Sequence, residues 1–503
     1  MNFKTVLSNA KENFVSVFRG PAVEANLFQL NGRTPLRKAI PFGIQHVLAM
    51  FAGNIAPILI VFGFLLGLCG NNQEYLAAMS AFKVQALLGA LFMAGVGTLV
   101  QLFIGARLPL VIGTSFTFVP IFITIANSVV KSGGSPIDAY YQIMGSIICG
   151  GLIVGFLCLF YKYWGRLLKP IVPAMVVLGI GLSLLGSGAT QFVGGSGILS
   201  LINSGQNLSV PYYAYILVAL ATLVAAIIWS ISFKGVWKNL NIIVGIVFGY
   251  LVACCIPGMI DFSPLSIDVN HLVGSSGIID APRFLDFSKL RFDGVSIALV
   301  SICCLVAAVE SIGDTSALAE TGLGRPATNR EIMAGISCDG INSAIGACFG
   351  ALPLTTFSQN VGIVAQTKMV NRFTIFLGAC FLFLVSFFPP VANFIYTIPD
   401  CVLGGTMVIL FGSIMVIGMK MLGELGWSDK NVMIASIAVC LGYGISISGD
   451  FFSALTKSNL QWLADILGNC TLNMFVISFI LSWVLPENMS INWRRKKKET
   501  KDE

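Results

Sequence analysis

The chain has 503 residues, of which 56% are hydrophobic and only 11% charged, with a formal net charge of +7. Soluble domains carry about 25% charged residues, so this composition excludes an ordinary water-soluble fold and points to a polytopic membrane protein. No Ser-His-Asp set, metal-ligand spacing or phosphate-binding loop is present, which argues against an enzyme.

The first 38 residues are polar and mildly basic, without the apolar run and cleavage site of a signal peptide. Beyond them, charge-free windows run from Ala39 to Gln73, Val84 to Ala106, Leu108 to Val130 and Ala139 to Tyr161. Each is long enough for the roughly 20 residues a membrane helix needs. The window from Pro170 to Phe233 is too long for one helix and reads as two spans around a Gly/Ser-rich loop, 186–210. The expected spans are 42–68, 80–105, 109–129, 138–161, 168–187, 211–232, 239–258, 294–319, 330–350, 353–367, 373–390, 393–419, 431–448 and 467–485, fourteen in all.

Charge asymmetry supports this count. With both termini cytoplasmic, 24 of the 30 Lys and Arg lie inside and 6, Lys83 among them, lie outside. The cytoplasmic tail 486–503 carries the run Arg494 to Lys498, a topology signal rather than a nucleic-acid patch. The polar connection 259–293 is external by this scheme and divides the chain into two halves of seven spans. Seven is odd, so homologous halves must be inverted relative to each other. The thirteen Cys show no CxxC spacing and mostly lie in apolar runs, as small buried hydrophobes do.

Two of the apolar segments are interrupted. Leu108 to Phe118 reads LPLVIGTSFTF and Leu352 to Lys368 reads LPLTTFSQNVGIVAQTK, with Pro, Gly and hydroxyl residues where a plain helix would have Leu. Lipid cannot satisfy the backbone groups such breaks expose. Interruptions at matching places in two halves are the best sequence pointer to a transporter's substrate site.

Acids in the bilayer cost roughly 2.5–3.5 kcal/mol on insertion scales, and three stand out. Glu310 and Asp314 lie one turn apart on one helix face, and Asp339 lies in the next span. For each, the plain alternative is an acid that only ties helices together, an alternative of equal weight for Asp314. Gln359 and Asn360 sit in the second break, where amides can meet an edge presenting NH beside C=O. Capping is the competing role for Asn360, and backbone pairing is favoured for Thr355, Thr356 and Ser358. The first break supplies Ser115, Phe116 and Phe118, and the ring of Phe116 suits stacking on a flat ligand or simple core packing. His46 lies inside the first span, where a helix-tying hydrogen bond competes with a proton-relay role. His271 reads as a surface residue of the external loop. A carboxylate, an amide pair and a ring, with no basic residue assigned to the broken segments, suit a neutral planar solute better than an inorganic anion. An acid in such a pocket is also a natural proton carrier, since one charge crossing the membrane is worth roughly 2.3 kcal/mol per 100 mV.

At these residues the chain resembles the nucleobase–ascorbate transporters, the nucleobase:cation symporter-2 family. QNVGIVAQTK, from Gln359 to Lys368, meets every fixed position of that family's signature. The pair Gln45–His46, ESIGDTSA from Glu310, CDG around Asp339 and SFTF from Ser115 match its other motifs, over about residues 35–485. The resemblance implies an all-α fold of fourteen transmembrane segments in two inverted seven-span repeats, with short antiparallel strands in spans 3 and 10. A core domain (39–161 and 294–390) would move against a gate domain (168–258 and 393–485) that forms a homodimer, in an elevator-type mechanism. It further implies substrate contacts at Glu310, Gln359, Phe116, Ser115, Asn360 and Gly362. Proton coupling would involve Glu310, Asp339, Asp314 and His46, with no resident cofactor and no metal. Gln at 359 resembles the xanthine and uric acid branch, since uracil carriers of the family usually have Glu there. Xanthine carriers often have Asn where this chain has Ser115, which leaves xanthine against urate open. The expectation is a proton-coupled importer of an oxidised purine in the cell membrane. The competing readings are a uracil or broader nucleobase carrier, a sulfate-permease-like anion exchanger and a channel.

Overall fold

The computed structural model describes residues 3–70, 72–203, 205, 208, 210–262, 278–449, 451, 454, 455, 463, 464 and 467–486. His271 and the basic run Arg494 to Lys498 lie outside the described residues. The order is α1 (Phe3–Phe18), α2 (Leu36–Leu68), α3 (Gln73–Phe103), β1 (Ile112–Thr114), α4 (Val119–Lys131), α5 (Pro136–Cys158), α6 (Tyr161–Trp164), α7 (Ile171–Phe192), α8 (Gly195–Asn203), α9 (Tyr212–Ser232) and α10 (Asn241–Cys254). The second half follows as α11 (Gly294–Leu323), α12 (Asn329–Cys348), β2 (Leu354–Thr356), α13 (Ser358–Thr367), α14 (Arg372–Val385), α15 (Pro389–Tyr396), α16 (Asp400–Glu424), α17 (Asp429–Ser446) and α18 (Cys470–Val484).

Among the described residues, seven helices are long and apolar enough to cross a membrane: α2, α3, α5, α7, α9, α11 and α16. An eighth span is present if α14 and α15, bent by 83°, are one broken crossing. Two prolines, Pro389 and Pro390, start α15 at that bend, where their missing N–H groups cost nothing. The protein is therefore a multi-pass membrane protein.

Two expectations need correction. The segment 186–210 is not a loop throughout: α7 runs on to Phe192 and α8 occupies Gly195–Asn203. The chain turns at Gly194 and Gly195, both at positive φ, and the apolar residues Ile198, Leu199, Leu201 and Ile202 then support a helix despite the local glycines. The segment 393–419 is likewise not one helix, because α15 ends at Tyr396 and α16 begins at Asp400. Pro399 lacks the N–H a continuous helix would need there. The polar N-terminal stretch also holds more structure than a tail. Phe14 packs on Phe103 at 5.2 Å and Phe18 on Phe373 at 5.5 Å, while Asn371 Nδ2 donates to the carbonyls of Asn26, Gln29 and Gly32.

The chain forms two compact units, Met1–Gly165 with Leu184–Ser413, and Arg166–Ser183 with Ile414–Glu503. In the first, α5 packs against α12 almost backbone to backbone. A Cβ on Gly151 would stand 2.7 Å from the Gly340 carbonyl oxygen. Membrane helices gain cohesion from such small-residue contacts, because lipid tails give no hydrophobic drive between helices. In the second unit, Val172, Met175 and Leu178 of α7 bury against Ile434, Ala438, Cys470 and Met474.

The two strands position the site. β1 pairs antiparallel with β2 in the register Ile112↔Thr356, Gly113↔Thr355 and Thr114↔Leu354. They fall in the two interrupted segments. The strands satisfy each other's backbone, as buried irregular segments in a membrane must. Side chains complete the pairing: Thr98 Oγ1 accepts from Ile112 N at 3.0 Å, and Ser343 Oγ from Leu354 N at 2.9 Å.

Candidate substrate site

Each strand runs directly into a helix N-terminus. After β1, Ser115 caps a single 3-10 turn, Phe116–Phe118, that leads into α4; after β2, Phe357 precedes α13. The strand pair thus brings the starts of two half-helices to one crossing. Their first N–H groups lack intrahelical partners, and both dipoles present positive ends there. Hydrogen-bond acceptors such as ring carbonyls are favoured at such a place.

Glycine makes the crossing possible. A Cβ on Gly113 would lie 2.3 Å from the Phe357 ring and 2.9 Å from Asn54 Oδ1. Asn54 in turn holds β1, its Oδ1 accepting from Thr114 N at 2.8 Å and Thr114 Oγ1 at 3.0 Å.

The acids of α11 and α12 have different surroundings. Asp314 is buried and accepts from Thr356 Oγ1 and Ser358 Oγ, each at 2.7 Å. Asp339 is buried and accepts from Gln101 Nε2 and Ser311 Oγ, also at 2.7 Å. Gln101 further donates to the Gly335 carbonyl and accepts from Ala106 N. Ser311 also contacts Thr355 Oγ1 at 2.9 Å. These carboxylates have both oxygens engaged by the protein. Glu310 is only half-buried, and its one hydrogen bond among the described residues is a long one from Thr117 Oγ1, 3.4 Å.

Thr117 follows Phe116, so Glu310 stands beside the first break. Phe116 is buried and meets Phe411 edge-on at 5.2 Å. Ser115 is buried with its hydroxyl accepting from Thr117 N, which shapes the turn. On the second break, Gln359 is half-buried and its side-chain amide engages no hydrogen bond among the described residues. It adjoins Ser358, which Asp314 fixes. Asn360 turns the other way: its Nδ2 donates to His46 O at 2.9 Å and lies 3.0 Å from His46 Nδ1. An amide donor at Nδ1 selects the neutral imidazole with its proton on Nε2. That Nε2 and Asn360 Oδ1 are buried without partners among the described residues. Gly362 leaves open space where a side chain would stand.

Glu310, Phe116 and Ser115 thus gather through Thr117, Gln359 joins α11 through Ser358 and Asp314, and His46 pairs with Asn360. Asp339 is committed to Gln101 and Ser311 instead. Thr117, Asn54 and Gln101 escape a sequence reading because their types are common and only spatial pairing gives them a role. Lys83, read as an external charge, lies within α3 and is only 8% exposed.

A multi-pass helical fold, broken at two paired half-helices around a carboxylate and a free amide, defines a membrane permease rather than an enzyme. The chain belongs to the permease family whose description it matches over residues 37–450, the nucleobase–ascorbate transporters. It is 29% identical to a putative purine permease of Clostridium perfringens, covering 91% of this chain and 94% of that one. It is 30% identical to the xanthine permease of Bacillus subtilis, over 85% and 90% of the two chains. The uric acid transporter of Escherichia coli is also 30% identical, over 83% and 80%. The fold is similar to that of the transmembrane domain of a cyanobacterial bicarbonate transporter, with TM-score 0.51, 14% identity and coverage of 84% and 97%. The murine Solute Carrier 26 family member A9 anion transporter gives TM-score 0.53 at 12% identity, over 93% and 72%.

Proposed function

We propose that this permease is a proton-coupled symporter that imports an oxidised purine base, xanthine or uric acid or both. The observation that carries the reading is the contrast among the acids. Asp314 and Asp339 have both oxygens bound, whereas Glu310 holds one long bond beside Phe116. An acid with spare acceptor capacity at a half-helix junction is available to a ligand. Glu310 accepts a ring N–H and carries the co-transported proton, Gln359 meets the other polar edge, and Phe116 packs beside the ring. Asn360 and His46 brace α13 against α2, Gly362 and Ser115 shape the pocket, and Asp339 tunes the coupling through Gln101.

The names of the relatives, xanthine and uric acid permeases, support this substrate class. The reading includes fourteen spans in two inverted repeats, an elevator movement of a core domain against a dimeric gate, and a place in the cell membrane with both termini cytoplasmic. A uracil or broader nucleobase carrier is the alternative within the class. The likeness to anion transporters concerns the fold alone, which does not fix function. An inorganic anion offers no ring N–H for Glu310 to accept and no flat face for Phe116. The test is uptake in a transporter-deficient host, with xanthine, urate, uracil and guanine competing. Saturable uptake of xanthine or urate that stops when the proton gradient is collapsed is the expected result. Ion currents without counterflow, or persistence on a sodium gradient alone, would overturn it.

A further inference from the structure

Asp314 and Asp339 are joined by more than their separate partners. Thr356 Oγ1 lies 2.7 Å from Asp314 Oδ2 and 3.3 Å from Ser311 Oγ, and Ser311 Oγ lies 2.7 Å from Asp339 Oδ2. Two hydroxyls therefore bridge carboxylates that sit on consecutive helices, α11 and α12. The outer oxygens are already taken: Ser358 donates to Asp314 Oδ1 and Gln101 Nε2 to Asp339 Oδ1, each at 2.7 Å. Asp314, Thr356, Ser311 and Asp339 are all buried.

The bridge has room for one extra hydrogen. Its three contacts need three hydrogens, and Ser311 and Thr356 supply one each. With both acids ionised, each hydroxyl serves its own carboxylate and the contact between the hydroxyls holds none. A proton on Asp314 Oδ2 turns Thr356 toward Ser311 and leaves Ser311 donating to Asp339. A proton on Asp339 Oδ2 turns the chain the other way, Ser311 toward Thr356 and Thr356 toward Asp314. The surroundings favour such a proton. No Lys, Arg or His among the described residues lies within ion-pair distance of either carboxylate. The titratable groups about them are Glu310, one residue before Ser311, and the thiols of Cys158 on α5 and Cys338 on α12. Two buried anions without a cation are costly, and one shared proton removes one of the two charges without breaking a hydrogen bond.

We propose that Asp314 and Asp339 hold a single proton between them, relayed through the hydroxyls of Thr356 and Ser311, as a second protonation site behind Glu310. In a transfer from Asp314 to Asp339, the acid proton passes to Thr356, Thr356 passes its own hydrogen to Ser311, and Ser311 passes its own to Asp339. Three O–H bonds break and three form, and the negative charge moves from α12 to α11. It then faces Thr356 and Ser358 at the entry to α13, so the place of the proton sets how firmly the segment carrying Gln359 is held. The role in coupling rests on the transport reading above; the shared proton itself does not.

Infrared spectra of the purified protein, in a Glu310→Gln background, detect the proton without transport. The part of the protonated-carboxyl band that Asp314→Asn removes should be the same part that Asp339→Asn removes, and the double variant should remove no more. Thr356→Val should move that band, and Thr356→Ser should keep it in place. Separate, additive losses from the two Asn variants would overturn the proposal, as would a loss from only one of them or from neither. In the otherwise wild-type chain, Ser311→Ala and Thr356→Val break the same relay. Each should displace the pH profile of xanthine uptake by about one unit, the worth of one hydrogen bond to a charged group, and the two together no further. Ser311→Ala carries the test should Thr356→Val fail to reach the membrane. A profile unmoved by both would overturn the role in coupling. Absence of any xanthine or urate uptake by the wild type would instead remove the transport reading and leave the infrared test standing.

Discussion

Ser358, the first residue of α13, donates its hydroxyl to Asp314 of α11 across 2.7 Å, and Thr356 donates to the other oxygen at the same distance. One carboxylate therefore fixes the end of a strand and the start of a half-helix to a neighbouring span. Gln359 inherits its position from that bond.

Asp314→Ala should leave the buried Thr356 hydroxyl and the half-buried Ser358 hydroxyl without their acceptor and loosen the entry to α13. Hydrogen bonds to charged groups are worth about 1.5–3 kcal/mol each, so the loss should appear as a melting point lower by several degrees. Thermal unfolding of the detergent-solubilised protein measures it. A melting curve like the wild type's would mean that Asp314 is not the anchor.

Glu310→Gln keeps the shape of the side chain and removes its charge and its proton. Accumulation of labelled xanthine should be abolished while membrane expression stays intact, and Thr117→Val should reduce uptake only severalfold because that bond is long. Undiminished accumulation by the Gln variant would take Glu310 out of the mechanism.

Gln359→Glu exchanges an amide that donates and accepts for a carboxylate that only accepts when ionised. Oxidised purines should then compete less well relative to other bases. The competition profile of xanthine, urate, uracil and guanine reads this out, and an unchanged ranking would count against an edge contact at Gln359.

Gly113→Ala should be among the most damaging small substitutions, since its methyl would stand 2.3 Å from the Phe357 ring, 2.8 Å from Met50 Cε and 2.9 Å from Asn54 Oδ1. Overpacking of this kind costs about 1–3 kcal/mol. Phe357→Leu in the same chain should recover part of the loss in folded protein by size-exclusion yield. Independent, additive losses would show that the two positions do not compete for one space.

The N-terminal stretch can be tested in the same way. Asn371→Ala should free the carbonyls of Asn26, Gln29 and Gly32 and expose 19–33 to protease in the detergent-solubilised protein. Cleavage no faster than in the wild type would mean that other contacts hold the segment.

Much of this was legible in the residues themselves. Long charge-free windows give membrane helices because transfer into lipid depends on local composition. The breaks at LPLVIGTSFTF and LPLTTFSQNVG give themselves away by Pro, Gly and hydroxyls where Leu belongs. Partnership was not legible. His46 and Asn360 were separate candidates until folding joined them, and Glu310, Asp314 and Asp339 differ only by which hydroxyl or amide reaches them. Those partners are far apart in sequence, Gln101 and Asp339 by 238 residues and Thr117 and Glu310 by 193. Tertiary packing alone decided that Lys83 is buried in α3 over the Tyr396 ring, because a lone Lys near a span's end looks the same in sequence whether water or an aromatic face receives it. Hydropathy is a property of each segment; which acid keeps a free oxygen is a property of its neighbours in space.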